Sequence, residues 1–253
     1  MAITIKHVYN KKSTITLDLD TLAKADLRNI DLKDMDLQGF DLTGANLSGA
    51  NLLGASLINC DISNANFENA YLCQTNMTNV KGRRVNFTNA DLRQAYFYQA
   101  NLSNCNFTDS NLELTHLDGC NLDCSIFTNA NTINTNFTNA SLKQTDFTQC
   151  DIEQAIFRGA NITFAKLPYP VLCLYDYQWF ISLMNDKIRI GCKCHTIEEW
   201  ENFSSSEIAR MEFDALDFWK VYKEGILTLA KSFVALNECR KNDKSKSKKR
   251  PLA

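Results

Sequence analysis

The sequence has no long apolar run. No stretch approaches the 18 or so apolar residues of a membrane-spanning helix, and Met1–Tyr9 lacks the apolar core of a secretory leader. Excess charge is missing too. The 27 Lys/Arg and 29 Asp/Glu leave a net −2, so by composition the whole chain is neither a nucleic-acid binder nor a polyanion. Proline is scarce: of three, Pro168 and Pro170 bracket the point where the sequence changes character. The spacings G-x-x-x-x-G-K-[ST], G-x-G-x-x-G and H-E-x-x-H do not occur.

What the chain does have is a five-residue period, unbroken from Ala25 to about Tyr169. The central residue of each pentad runs Leu27, Leu32, Leu37, Leu42, Leu47 and onward in register to Phe157, Ile162 and Leu167. Of 29 centres 27 are apolar; Gly82 and Thr132 are the exceptions. The residue two before the centre is Ala, Cys, Ser or Thr in 24 of 29 pentads, and the one just before it is Asp or Asn in 20. The second residue after the centre is often Gly or Asn, which accept tight turns and positive φ. A period of five fits neither an amphipathic helix nor an alternating strand. A strict short repeat over such a length signals stacked coils.

Pentads such as Ala45-Asn46-Leu47-Ser48-Gly49 and Ala50-Asn51-Leu52-Leu53-Gly54 resemble the A-(D/N)-L-x-x signature of the pentapeptide-repeat family. The resemblance implies an all-β solenoid, a right-handed quadrilateral β-helix with four pentads per coil. That makes about seven coils, and at about 4.8 Å per stacked strand a rod of about 35 Å. Residues twenty apart then share a column. One inner column reads Leu47, Phe67, Phe87, Phe107, Phe127, Phe147 and is read as core, not as a cofactor box. Open strand edges at both ends call for caps. The expected organisation is a β cap over 1–24, the β-helix over 25–169, an α+β module over 170–240 and a basic, flexible tail over 241–253.

Ten cysteines raise the question of disulfides. Cys60, Cys105, Cys120 and Cys150 all occupy the small slot, where Cys behaves as a small hydrophobe. With no leader, this points to a reducing cytoplasm.

One pentad breaks its own pattern. In Lys81-Gly82-Arg83-Arg84 the centre has no side chain, the Asp/Asn slot holds Lys and both following slots hold Arg. A missing interior side chain is expected to leave a void or to let the backbone sag, at a cost of about 2–4 kcal/mol relative to Leu, and Gly82→Leu is expected to restore the column. The patch is either drift in a tolerant coil or a contact site, since lapses in a consistent pattern often mark function. Arg93, Tyr96 and Tyr98 lie close in sequence, and Tyr and Arg anchor protein interfaces. The candidate partner-binding set is Lys81, Arg83, Arg84, Arg93, Tyr96 and Tyr98.

At the amino end, Ile3, Ile5, Ile15, Leu17 and Leu19 alternate around Asn10-Lys11-Lys12 and predict a hairpin. Beyond Pro170, Tyr177–Ile181 and Lys187–Ile190 read as strands joined by Asn185-Asp186. Thr196 and Glu199 form a capping box that starts a helix at Ile197. A longer helix is expected from about Asp214 to Glu238, with Phe218, Tyr222, Ile226, Leu229, Phe233 and Leu236 on one stripe. The signature Cys192, His195, Thr196, Glu199, Trp200 looks like the module that follows pentapeptide repeats in some phage and prophage proteins; that resemblance carries no activity. Cys192, Cys194 and His195 lack the second ligand pair of a structural zinc site. No third member completes Cys192 and His195 as nucleophile and base, so both are read as buried structural residues at a strand-to-helix turn. No metal or cofactor is expected.

The functional expectation is a non-enzymatic, cytoplasmic protein-binding scaffold, plausibly encoded by a phage or prophage. The alternative comes from the resemblance: several family members mimic B-DNA and bind DNA gyrase. Two features depart from that pattern, the lack of a loop insertion and the basic Lys81–Arg84 spot. A remote third reading is an enzyme using Cys192 and His195. Direct nucleic-acid contact is expected only through the basic Arg240–Arg250 run, which is otherwise a solvated end. Family members often dimerise through an end of the rod, so a homodimer is expected here.

Overall fold

The computed structural model describes residues 2–174, 181–191, 193–211 and 214–247, and only the backbone of Cys173 and of 239–247. The chain divides into two units, Met1–Pro168 and Tyr169–Ala253.

The first unit opens with the hairpin of β1 (Ile3–His7) and β2 (Thr14–Leu17), in register Ile3↔Leu17 and Ile5↔Ile15. On its other side β1 pairs antiparallel with β3 (Met35–Asp36). Lys11 Nζ meets Asp36 Oδ2 at 2.8 Å, and Ile5 is buried. The hairpin therefore lies against the first pentads.

From Asp26 to Lys166 the chain stacks on itself every twenty residues. Parallel bridges link Asp26 to Asn46, Asn46 to Asn66 and so on, in four columns, up to Asp146 with Lys166. The local chemistry explains the period. The Asp or Asn before each centre accepts the backbone N–H two residues on, as Asp41 Oδ1 does from Thr43 N at 2.9 Å and Asn86 Oδ1 from Thr88 N at 3.1 Å. That closes a side-chain turn. Two residues after the centre the backbone enters the left-handed region, at φ 66° in Gly44 and 59° in Asn59. The next residue must be small because it points inward beside the centre.

The interior is dry and ordered. Described centres from Leu27 to Phe157 are buried, and the phenylalanine column stacks nearly parallel, Phe107 lying 5.0 Å from Phe87 and 4.7 Å from Phe127. Toward the far end Ile162 and Leu167 are only half-buried. The small slot does more than save space. Cys60, Cys105 and Cys120 donate S–H to the carbonyls of Leu37, Gly82 and Phe97 in the preceding coil, at 2.8–2.9 Å. Thr75, Thr115 and Ser125 do the same with O–H. Thr132, the polar centre, bonds Asp151 O at 2.7 Å.

Gly82 requires a correction. The space where its side chain would begin is already narrow. A Cβ there would meet Leu102 Cδ2 at 3.0 Å and Ile62 Cγ1 at 3.1 Å. The column neighbours lie close enough that a larger residue would have to push them aside.

The second unit is a four-stranded antiparallel meander, β4 (Val171–Leu174), β5 (Ile181–Met184), β6 (Lys187–Ile190) and β7 (Lys193–Thr196), in that order. Asn185, at φ 52°, turns β5 into β6 beside Asp186. The expected strand Tyr177–Ile181 falls on 175–180, which lie outside the described residues, except for Ile181, the first residue of β5. Capping boxes start α1 (Ile197–Asn202), through Thr196 and Glu199, and α2 (Ser205–Ala209), through Ser204 and Glu207. Then comes α3 (Ala215–Ser247). It outruns Glu238 into the lysine run; Lys is a good helix former, and cations suit a helix C-terminus. The expected flexible tail is thus helical to Ser247, and 248–253 lie outside the described residues.

Half of the predicted stripe of α3 faces inward: Phe218 and Ile226 belong to the core of this unit and Phe233 packs against it. Phe218, Trp219, Ile226, Leu227 and Ala230 pack on Ile181, Leu183, Ile188 and Trp200, whereas Tyr222, Leu229 and Leu236 are exposed. No helix among the described residues is long and apolar enough to cross a membrane.

Candidate functional site

The four bridge columns assign each candidate a place. Lys81 follows Asp41 and Asp61 in one column, with Arg83 and Arg84 just after it; all three are exposed. Arg84 holds the left-handed turn slot, at φ 57°. None of the three makes an ion pair among the described residues. Tyr96 belongs to the preceding column, between Asn76 and His116, and stacks flat on His116 at 4.9 Å and 7°. Tyr98 accepts at its backbone carbonyl from Asn79 N at 3.0 Å, which sets it beside the corner leading into Lys81. Tyr96 and Tyr98 are about half exposed, at 46 % and 48 %.

Arg93 is not part of this group. It belongs to a column two along the turn and grips its own neighbour. Nε and Nη2 reach the two Asp91 carboxylate oxygens at 2.8 and 2.7 Å. That bidentate bond holds the Asp91 carboxyl below the usual carboxylate range. Arg28 with Asp26, and Lys166 with Asp146, are likewise paired within the stack. The structure thus brings together Lys81, Arg83 and Arg84, with Tyr98 at their corner and Tyr96 in the adjoining column. Leu47, Phe67, Phe87, Phe107, Phe127 and Phe147 are all buried.

Sequence reasoning missed His116, which shares the Tyr96 stack, and Phe164, which is 82 % exposed in a turn slot at the far end of the stack. The signal was present: both replace the usual small polar residue at a surface slot.

In the second unit the signature residues are tied into structure. Thr196 N donates to Glu199 Oε2 at 2.8 Å, the main reason the Glu199 carboxyl titrates below its ordinary range. Trp200 is buried and its Nε1 donates to Ile188 O at 2.7 Å. His195 sits in β7 rather than in a turn, half-buried, with Trp200 and Phe203 edge-on at 5.4 and 4.9 Å. Its Nδ1 is 3.6 Å from Glu199 Oε2. Cys192 lies outside the described residues. Among the described residues no three His, Cys, Asp or Glu side chains converge as a metal site.

Family comparison agrees with this geometry. The model described as "Pentapeptide repeat region" matches residues 50–126, and "Pentapeptide repeats (8 copies)" matches 25–64 and 135–168. Together they cover more than half of the chain. No curated protein matches. Among solved structures the chain is similar to HetL, a pentapeptide repeat protein involved in heterocyst differentiation regulation in the cyanobacterium Nostoc sp. strain PCC 7120. Identity is 23 % over 58 % of this chain and 76 % of that one, with a TM-score of 0.40. It is similar to full-length QnrB1, a plasmid-mediated fluoroquinolone resistance protein, at 21 % identity over 52 % and 72 %, TM-score 0.37. A pentapeptide repeat protein of the Arabidopsis thaliana thylakoid lumen is 20 % identical over 56 % and 70 %, TM-score 0.19. Structural likenesses this low carry no argument; membership rests on the repeat models.

Proposed function

We propose a function from one premise: the chain belongs to the pentapeptide-repeat family. It acts as a non-enzymatic, cytoplasmic scaffold that binds and modulates a protein partner. The coil stack is a right-handed quadrilateral β-helix of about seven coils. It is capped by 1–24 and followed by the module over 170–240.

The observation that carries this reading is the surface around Lys81. Three exposed cations that make no ion pair among the described residues sit near two half-exposed tyrosines on a backbone held by bridges from coil to coil. Interfaces are anchored by such Arg and Tyr residues, and a rigid backbone lowers the ordering cost of binding. The test is affinity capture from host lysate with the full chain and with its Tyr96→Ser/Tyr98→Ser variant. The reading expects a stoichiometric protein that the variant loses; equal capture by both would sink this surface.

A second reading, a B-DNA mimic acting on gyrase or topoisomerase, draws on the acidity of the stack: fifteen Asp/Glu against nine Lys/Arg between Ala25 and Leu167. A gyrase supercoiling assay with and without the chain decides between the two. A phage or prophage origin rests on the second unit's signature alone. The remote enzymatic reading through Cys192 and His195 would require Cys192→Ala to abolish an activity. A homodimer through the far end of the stack is supported by the exposed Phe164 and the half-buried Ile162 and Leu167; a single monomer boundary in sedimentation at tens of micromolar would refute it.

A further inference from the structure

The geometry points to a short acidic segment of a partner protein as the ligand of the Lys81–Arg84 corner. The inference rests on the scaffold reading above and adds the chemistry of what is bound.

The charge pattern is the starting point. Three cations elsewhere in the stack are answered locally, Arg28 by Asp26, Arg93 by Asp91 and Lys166 by Asp146, while Lys33, Lys143 and Arg158 make no ion pair among the described residues but stand singly. Lys81, Arg83 and Arg84 also make no ion pair among the described residues, and they crowd into four residues. Their backbone is fixed on both sides. Gly82 N and Arg84 N donate to Asn101 O and Ser103 O at 2.7 and 3.1 Å, while Arg83 O accepts from Asn64 N at 2.8 Å. The side chains therefore project from a rigid corner. Unpaired like charges held together repel one another, and an anion that bridges them relieves that repulsion.

The size of the patch selects the class of anion. A nucleic-acid backbone is held by many phosphate contacts, on the order of 6–10 for an ordinary binder. Here the positive surface ends quickly. Asp61 precedes Lys81 in its column, and Asp123 lies two coils beyond Arg83. A long polyanion would run onto carboxylates in either direction. A run of about three acidic side chains would not. Arg83 and Arg84 offer planar forks that match carboxylates two bonds at a time. Tyr98, at the corner, adds a hydroxyl donor and an apolar ring for the flanking chain.

The test uses the full chain and a fluorescent hexaglutamate peptide, read by anisotropy at low and at physiological salt. Hexalysine and an oligothymidylate of equal length are run beside it. The basic run 240–250 could also attract an anion, so specificity is read from variants. Arg83→Glu/Arg84→Glu should weaken hexaglutamate binding at least tenfold. Lys143→Glu, an exposed charge elsewhere on the stack, should leave it within twofold. Circular dichroism confirms that both variants fold. No hexaglutamate binding, equal binding by the Arg83/Arg84 variant, or tighter binding of oligothymidylate each overturns the inference. None of these touches lysate capture through Tyr96 and Tyr98, so the scaffold reading fails or stands separately.

Discussion

The two units bury their apolar residues by different rules. In the coil stack, position within the pentad decides. Leu47 and Phe107 are buried for the same reason, and the bridges of the stack link each coil to the coils twenty residues before and after it. In the second unit, burial is settled by elements distant in sequence. Trp219 of α3 lies 5.0 Å from Trp200 of α1, and both pack with Ile181 and Ile188 of the sheet. A one-dimensional unit can be read residue by residue; a packed α+β unit cannot, because its inner faces are chosen jointly.

Four predictions bear on that contrast, and the largest effect concerns alkali. Burial pushes the Cys60 thiol up to about 11 and those of Cys105, Cys120 and Cys150 to about 12, from an ordinary 9.0. The folded state keeps these thiols neutral while the unfolded chain ionises near 9.0. Their contribution is therefore intact below pH 9 and is lost as pH rises toward 11–12. Each thiol weakens folding by about 1.4 kcal/mol per pH unit over that window. The urea midpoint followed by far-UV circular dichroism should fall steeply between pH 9 and 10.5. In Cys105→Ala/Cys120→Ala it should fall about half as steeply, Ala being the usual occupant of the slot. An equal slope would break the claim that these slots control the stack.

Next in size is Phe107→Ala, expected to cost about 3–5 kcal/mol, because ladder-bonded coils cannot collapse onto the void. All three tryptophans, Trp179, Trp200 and Trp219, fall after residue 168. Tryptophan fluorescence therefore reads the second unit. The dichroism transition should move and the fluorescence transition should not; a joint shift would show that the nearest-neighbour picture fails.

Gly82→Leu comes third, and here the structure reverses the sequence-based expectation. With Leu102 and Ile62 3.0–3.1 Å from where a Cβ would sit, the larger residue overpacks the column. It should destabilise by about 1–3 kcal/mol. A raised melting temperature would restore the void.

These cases show where the sequence was legible. The pentad register, the inward centres, the phenylalanine stack and the capping box at Thr196 were readable because each follows from spacing or from a local hydrogen bond. Gly82 was not, since whether neighbours relax into a gap depends on rotamers in two other coils. The separation of Arg93 from Lys81 was not either. Closeness in sequence hid the fact that pentads two apart lie in columns two apart, and that Asp91 already holds Arg93. In the second unit the helix start was local and readable. The buried face of α3 was not, because a heptad-like spacing of apolar residues fits more than one face when the sheet to be covered is unknown.

The smallest effect tests that last point. Tyr222, Leu229 and Leu236 recur at seven-residue spacing and look like the buried stripe, yet they are 41 %, 38 % and 50 % exposed. Phe218 and Ile226 of the same predicted stripe do face the sheet, together with Trp219, Leu227 and Ala230. At 3.6 residues per turn, about 100° per residue, Trp219, Ile226 and Ala230 lie within about 40° of one another, whereas Tyr222, Leu229 and Leu236 lie about 60–100° to one side of Trp219, so both sets keep a helical spacing and only one faces the sheet. Leu229→Ser removes a side chain that water already reaches. It should change stability by no more than about 0.5 kcal/mol, read from the tryptophan fluorescence transition in urea. Leu227→Ser in the same helix, at 6 % exposure, supplies the contrast: it empties a packed position and leaves a hydroxyl in an apolar core. Equal losses from Leu229 and Leu227 would mean that both rows are covered and that the stripe read from spacing was sound. A near-silent Leu229→Ser beside a damaging Leu227→Ser would establish that in this unit the packing partner, not the period, chooses the inner face.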